Sequence, residues 1–112
     1  MSQITSHILD TTKGSPAADV PVILYIQEKD QWTELGRGKT NADGRITDLV
    51  EKDVTLTKGI YKLRFEIKDY FAGSVTHSFY PFVEIVFNIL SSDHYHVPLL
   101  LNPFGYTTYR GS

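Results

Sequence analysis

The sequence contains no cysteine and no long hydrophobic run, and each absence narrows the chemistry open to the chain. Without thiols it forms no disulfide, carries no thiolate nucleophile and offers no thiolate ligand to a metal ion. Its longest apolar stretches, around residues 83–90 and 97–101, are far shorter than the roughly 20 residues of a membrane-spanning helix. We therefore expect no membrane partner.

An excess of charge of one sign is also missing. The 112 residues carry 11 Lys and Arg against 13 Asp and Glu, a net charge of −2, and no basic run occurs. This balance lacks the electropositive footprint of nucleic-acid binding, so no such partner is expected. The start, Met1-Ser2-Gln3, lacks the charged and apolar regions of a signal peptide. We expect a cytoplasmic location, and a processed periplasmic form stays open.

What the chain does have is the alternating hydrophobicity of β-strands. Residues 60–67 place Tyr61, Leu63 and Phe65 on one face and charged side chains on the other. Residues 20–27 and 83–90 are apolar on both faces, as in central or interface strands. The length suits one domain, residues 1–112. We predict an all-β antiparallel β-sandwich of about eight strands with one short helix over residues 68–75.

The terminal strand, predicted over residues 106–110, carries aromatic and β-branched side chains without a Lys or Pro to protect it. An unprotected edge strand presents free backbone groups to another chain. The sequence therefore predicts self-association through this edge.

Histidines on the strands are the first candidates for chemistry. His94 and His96 are two residues apart, so on a strand they share a face. If Ile4 and Ile8 point into the core, His7 points outward. A solvated or packed histidine is the ordinary alternative at each position. An imidazole with a pKa near ~6.5 could act as a general base at neutral pH.

A zinc site is the competing interpretation of these histidines. His94 and His96 with His7 or His77 would supply three nitrogen ligands. No carboxylate is spaced to complete the set, so we expect no metal. The sequence also lacks a Gly-x-Ser-x-Gly nucleophile turn and a glycine-rich phosphate loop.

The remaining candidates are Arg45 and the terminal segment. Arg45 follows the Asp43-Gly44 turn, where a hairpin arginine is usually solvated but can also bind a urea-like or carboxylate group through two hydrogen bonds. On a regular strand Tyr109 and Arg110 face opposite sides, so only one can line a given cleft. Ser112 falls on the Arg110 side unless the chain bends after the preceding glycine.

Taken together, these residues resemble the transthyretin-like 5-hydroxyisourate hydrolases. Three segments carry the resemblance, and it covers essentially the whole chain. They are Ser6-His7-Ile8-Leu9-Asp10 with Gly14 and Pro16-Ala17, then Thr40-Asn41-Ala42-Asp43-Gly44-Arg45-Ile46, and His94-Tyr95-His96-Val97-Pro98 through to Tyr109-Arg110-Gly111-Ser112.

The resemblance implies that the protein opens the cyclic amide of 5-hydroxyisourate with water. The product would be 2-oxo-4-hydroxy-4-carboxy-5-ureidoimidazoline, formed in urate breakdown without a cofactor. Which histidine acts as the general base stays open. The implied catalytic residues are His7, Arg45, His96 and Ser112, and the implied substrate-binding residues are His7, Arg45, Tyr109, Arg110 and Gly111.

The resemblance also implies a homotetramer, a dimer of dimers, with active sites in a channel between subunits. The main alternative is a transthyretin-like carrier of small molecules without hydrolase activity. An immunoglobulin-like adhesion module is a further alternative, although it needs neither an outward pair of histidines nor a docked terminus.

Overall fold

The computed structural model describes residues 2–73 and 77–112 of the chain. Within them it has nine strands and one short helix. The strands are β1 (Ile4–Asp10), β2 (Ser15–Pro16), β3 (Pro21–Glu28), β4 (Gln31–Lys39), β5 (Arg45–Ile46), β6 (Gly59–Phe65), β7 (Val83–Ile89), β8 (Tyr95–Asn102) and β9 (Gly105–Thr108), and the helix is α1 (Lys68–Ala72).

The strands form two sheets that enclose one core. The first sheet has the order β2-β1-β8-β9, with β5 also paired to β1, and the second has the order β4-β3-β6-β7. Tyr61, Leu63 and Phe65 of β6 are fully buried between the sheets, and Lys62 and Arg64 lie on the outer face. The predicted β-sandwich is thus confirmed. The alternation of buried apolar and outward charged side chains predicted for residues 60–67 is confirmed as well.

Three local features differ from the expectation. Strands β1 and β8 pair in parallel rather than antiparallel, which the long intervening chain allows. Ser15 and Pro16, in a segment for which no strand was predicted, form the short strand β2 beside Leu9 and Asp10. The helix ends at Ala72, and residues 74 and 75 of the predicted helix lie outside the described part of the chain.

Strand β7 is one edge of the four-stranded sheet, and β9 is one edge of the five-stranded sheet. Val86 and Leu90, on and just after β7, are 57% and 67% exposed, so this edge exposes apolar side chains. In residues 2–73 and 77–112, no helix has the length and apolar composition needed to cross a membrane.

Candidate active site

A tight hairpin places Arg45 beside His7. These two residues are cross-strand partners on β5 and β1. Gly44 turns the chain with a φ of +72°, as the sequence predicted, and its carbonyl accepts a hydrogen bond from Ile8 N at 2.8 Å. A Cβ at Gly44 would lie 2.5 Å from the Ile8 carbonyl oxygen, so only glycine fits this close approach.

The pairing of β1 with β8 adds two further imidazoles to the same face. Ile4 and Ile8 are fully buried, so Thr5 and His7 project from the outer face of the sheet, as predicted for His7. Thr5 is in register with His96. His94 stacks against His96 with ring centroids 6.4 Å apart, which confirms their shared face.

The terminal segment closes the site from the other side of β8. Gly111 N donates to the His96 carbonyl at 2.7 Å, outside the regular part of β9. A Cβ at Gly111 would lie 2.6 Å from His96 Cδ2, so the absent side chain lets the backbone approach the imidazole. Ser112 then reaches a cleft of about 220 Å³ lined by Thr5, Ser6, Arg45, Thr47, His94, His96 and Ser112.

The electrostatics of the site favour neutral imidazoles. Burial lowers the pKa of His7 below its ordinary value, and the neighbouring Arg45 guanidinium lowers it further. For His96, burial, Arg45, His94 and His7 all lower the pKa, in that order. A histidine with a lowered pKa is unprotonated at neutral pH and can accept a proton from water.

Two of the predicted substrate-binding residues lie elsewhere in the single chain. Tyr109 and Arg110 line a separate cavity of about 340 Å³ between β7 and β8. The Arg110 guanidinium carbon is 4.3 Å from the centroid of the Tyr95 ring. The expectation that they face opposite sides required a regular strand, but β9 ends at Thr108. The structure thus brings His7, Arg45, His96 and Ser112 together, and it separates Arg110 from Ser112.

The arrangement offers no metal cage. Within the described ranges, no group of three or more His, Asp and Glu side chains could hold an ion. Nitrogens of His94 and His96 both contact the Thr5 hydroxyl. His77, the third ligand considered in the zinc interpretation, lines a different pocket beside α1.

Sequence reasoning did not select three residues that line the cleft, namely Thr5, Ser6 and Thr47. Thr5 carried a usable signal, because it is two residues before His7 and therefore shares its face. Its contact with His96 depends on a strand pairing that the local pattern does not contain.

Comparison with known proteins identifies the family. A sequence model of the HIUase/Transthyretin family matches residues 4–111. The chain belongs to this family. The family predicted from the three sequence motifs is therefore confirmed.

Members of the HIUase/Transthyretin family with different functions in their names share this fold. A probable 5-hydroxyisourate hydrolase of Caenorhabditis elegans is 47% identical over 112 residues, which cover 99% of this chain and 82% of the relative. The 5-hydroxyisourate hydrolase of Klebsiella pneumoniae superposes with a TM-score of 0.86 at 38% identity, with 100% of both chains covered. Transthyretin from Sparus aurata superposes with a TM-score of 0.88 at 32% identity, covering 99% and 97% of the two chains. Function must therefore be argued from the cleft.

Proposed function

We propose that this protein is a 5-hydroxyisourate hydrolase, which adds water to a cyclic amide carbonyl of 5-hydroxyisourate and breaks the adjacent C–N bond. The product is 2-oxo-4-hydroxy-4-carboxy-5-ureidoimidazoline. The observation that carries the proposal is the convergence of Arg45, His96 and Ser112 in one cleft, with His7 paired to Arg45. Relatives that are 44–47% identical carry the same activity in their names.

Water attack on an amide needs a base, a donor for the developing oxyanion and groups that hold the ring. His7 and His96 form the proton-transfer pair, since burial and Arg45 keep both neutral. One takes a proton from the attacking water, and the leaving nitrogen gains a proton as the C–N bond breaks. The Arg45 guanidinium, which is exposed, stabilises the negative charge that develops on the carbonyl oxygen.

The terminal segment shapes the cleft and, in an assembly, extends it. Gly111 lies against the His96 ring, and Ser112 orients the substrate or the water. Tyr109 and Arg110 do not line the cleft of their own chain, so their substrate contact requires a second subunit. A homotetramer, a dimer of dimers, would supply it. Two edge strands support such an assembly, β7 with its exposed Val86 and β9 with its exposed Tyr106.

The decisive experiment follows the ultraviolet absorbance of freshly generated 5-hydroxyisourate with and without the protein. We expect faster decay with the protein, and no acceleration would overturn the proposal. A parallel variant that lacks residues 109–112 should lose the acceleration.

Light scattering coupled to size exclusion tests the tetramer, and a monomer at assay concentration would contradict it. Cell fractionation tests the proposed cytoplasmic location.

A carrier function is the second candidate, supported by the fold shared with Sparus aurata transthyretin. A cleft lined by imidazoles, hydroxyls and a guanidinium suits a polar heterocycle better than a hydrophobic ligand. Titration with a thyroxine-like ligand separates the two functions, because micromolar binding without hydrolysis would favour the carrier.

A further inference from the structure

Thr5 lies between two histidines that the proposed mechanism treats unequally. Its Oγ1 is 2.7 Å from Nδ1 of His96 and 2.9 Å from Nε2 of His94, and the residue is only 3% exposed. A threonine hydroxyl donates one hydrogen and accepts up to two. A neutral imidazole donates from one nitrogen and accepts at the other. The three side chains therefore determine one another's hydrogen positions.

The Thr5 hydroxyl can donate its single hydrogen to either of the two histidines, which gives two possible arrangements of the hydrogens. In the first, Thr5 donates to His94 Nε2 and accepts from Nδ1–H of His96, so Nε2 of His96 carries a lone pair. In the second, Thr5 donates to His96 Nδ1 and accepts from Nε2–H of His94, so Nε2 of His96 carries the hydrogen. Only the first arrangement leaves neutral His96 with a nitrogen that can accept a proton from water.

The surroundings favour the first arrangement. Arg45 lines the same cleft as His96, and its positive charge acts on that imidazole. A neighbouring cation is attracted by a nitrogen lone pair and repelled by an N–H hydrogen. His94 is exposed, so in this arrangement its Nδ1–H is free to donate to water.

We propose that Thr5 and His94 are positioning residues that hold His96 as its Nδ1–H tautomer, with the bare Nε2 presented to the cleft. When His96 takes a proton from the attacking water at Nε2, its Nδ1–H continues to donate to Thr5. The hydrogen-bond chain therefore survives the proton transfer. The tautomer does not depend on the hydrolase activity, whereas its effect on turnover rests on the function proposed above.

Long-range ¹H–¹⁵N NMR of histidine-labelled protein tests the tautomer in the resting protein. The spectrum is recorded at a pH well above the ordinary histidine pKa, where imidazoles are neutral. We expect a pyrrole-type signal for His96 Nδ1 and a pyridine-type signal for its Nε2. A His96 that carries its hydrogen on Nε2 would overturn the proposal, whether or not the protein hydrolyses anything.

Two variants at Thr5 test its role. Thr5→Val removes the hydroxyl at nearly constant size, and His96 should then shift toward the Nε2–H tautomer. We expect kcat to fall about 10-fold, the ratio that one net hydrogen bond supports, with little change in KM. Thr5→Ser keeps the hydroxyl and should restore both the NMR signature and kcat.

The outcomes separate this proposal from its rivals. If Thr5→Val loses activity while the His96 signals are unchanged, Thr5 is merely structural and the proposal fails. If Thr5→Ser behaves like Thr5→Val in both measurements, the hydroxyl is not the cause and the proposal also fails. An inactive wild-type protein with the expected signals would overturn the proposed function and leave the tautomer in place.

Discussion

The outer faces of the two sheets both carry basic side chains. On one face these side chains form ion pairs with acidic residues, and on the other Arg45 does not. On the four-stranded sheet, Lys62 Nζ and Arg64 Nη1 each lie 3.2 Å from Glu84 Oε2. The guanidinium carbon of Arg64 also lies 3.7 Å from the centroid of the Phe82 ring. On the five-stranded sheet, Arg45 forms no ion pair with any residue that the structure describes. The first face is thus neutralised, and the second is not.

This difference distinguishes a structural surface from a candidate site. Cations that are paired and packed on aromatic rings are already satisfied and have little left to offer a ligand. An arginine without a carboxylate partner, beside imidazoles with lowered pKa values, retains hydrogen bonds for a ligand. Substitutions on the unpaired face should therefore lower turnover, and substitutions on the paired face should leave turnover unchanged.

The largest effect is expected for the imidazoles. His96→Ala and His7→Ala should each lower kcat by about 10²–10⁴, the contribution of a positioned acid or base. The ultraviolet decay assay of 5-hydroxyisourate measures this loss. Lys62→Met, on the opposite sheet, is the matched control and should keep wild-type turnover. Near-normal turnover in both histidine variants would contradict their assignment.

Arg45→Met should lower kcat by roughly 10²–10³, the cost of losing one donor to a developing oxyanion. It should also move the acid limb of the pH profile. Neutral imidazole is the active form, and both burial and Arg45 lower the pKa values of His7 and His96, with His94 adding to the effect on His96. Activity of the wild type should therefore persist below the ordinary histidine pKa.

In Arg45→Met the lowering of the histidine pKa values by the guanidinium is lost, and the lowering by burial remains. The pKa values of His7 and His96 therefore rise, and the acid limb of the pH profile moves to higher pH. The profile of kcat/KM against pH measures the displacement. Arg64→Met, which removes a paired arginine from the other sheet, should leave the profile in place. A limb that stays fixed or moves to lower pH in Arg45→Met would refute the electrostatic role of Arg45.

The local pattern of the strands is sufficient to orient much of the site. Buried Ile4 and Ile8 predicted that His7 faces outward, because side chains alternate along a strand. The spacing of His94 and His96 predicted a common face, and Gly44 predicted the turn beside Arg45. Each of these follows from geometry over a few residues.

What local pattern does not contain is which strands meet. The parallel pairing of β1 with β8 places Thr5 beside His96, although 91 residues separate them in the chain. That register results from packing of the whole core and not from either segment alone. In the same way, Arg110 packs on Tyr95 because the chain leaves the regular strand after Thr108. Strand alternation could not predict this contact.

A smaller effect is expected where the terminal segment touches the imidazole. The added methyl of Gly111→Ala would lie 2.6 Å from His96 Cδ2 and 3.0 Å from Pro98 Cγ, so the segment or the ring must move. A displaced His96 ring or terminal segment should lower kcat by about 10- to 100-fold. Gly73→Ala is the control, because its Cβ would meet nothing within 4 Å. Full activity in Gly111→Ala would show that the close approach is dispensable.

The smallest effect is expected for Lys62→Met, which tests the neutralised face directly. The Lys62 ammonium lies 4.4 Å from the centroid of Trp32 and 4.9 Å from that of Tyr25, and methionine can fill the same space. Loss of the ion pair with Glu84 is offset by relief of the desolvation of a lysine side chain that is 11% exposed. We expect the free energy of unfolding to change by no more than about 1 kcal/mol, measured by urea denaturation. If Lys62→Met instead lowered turnover at unchanged stability, paired and unpaired basic residues would contribute alike, and the distinction between the two faces would fail.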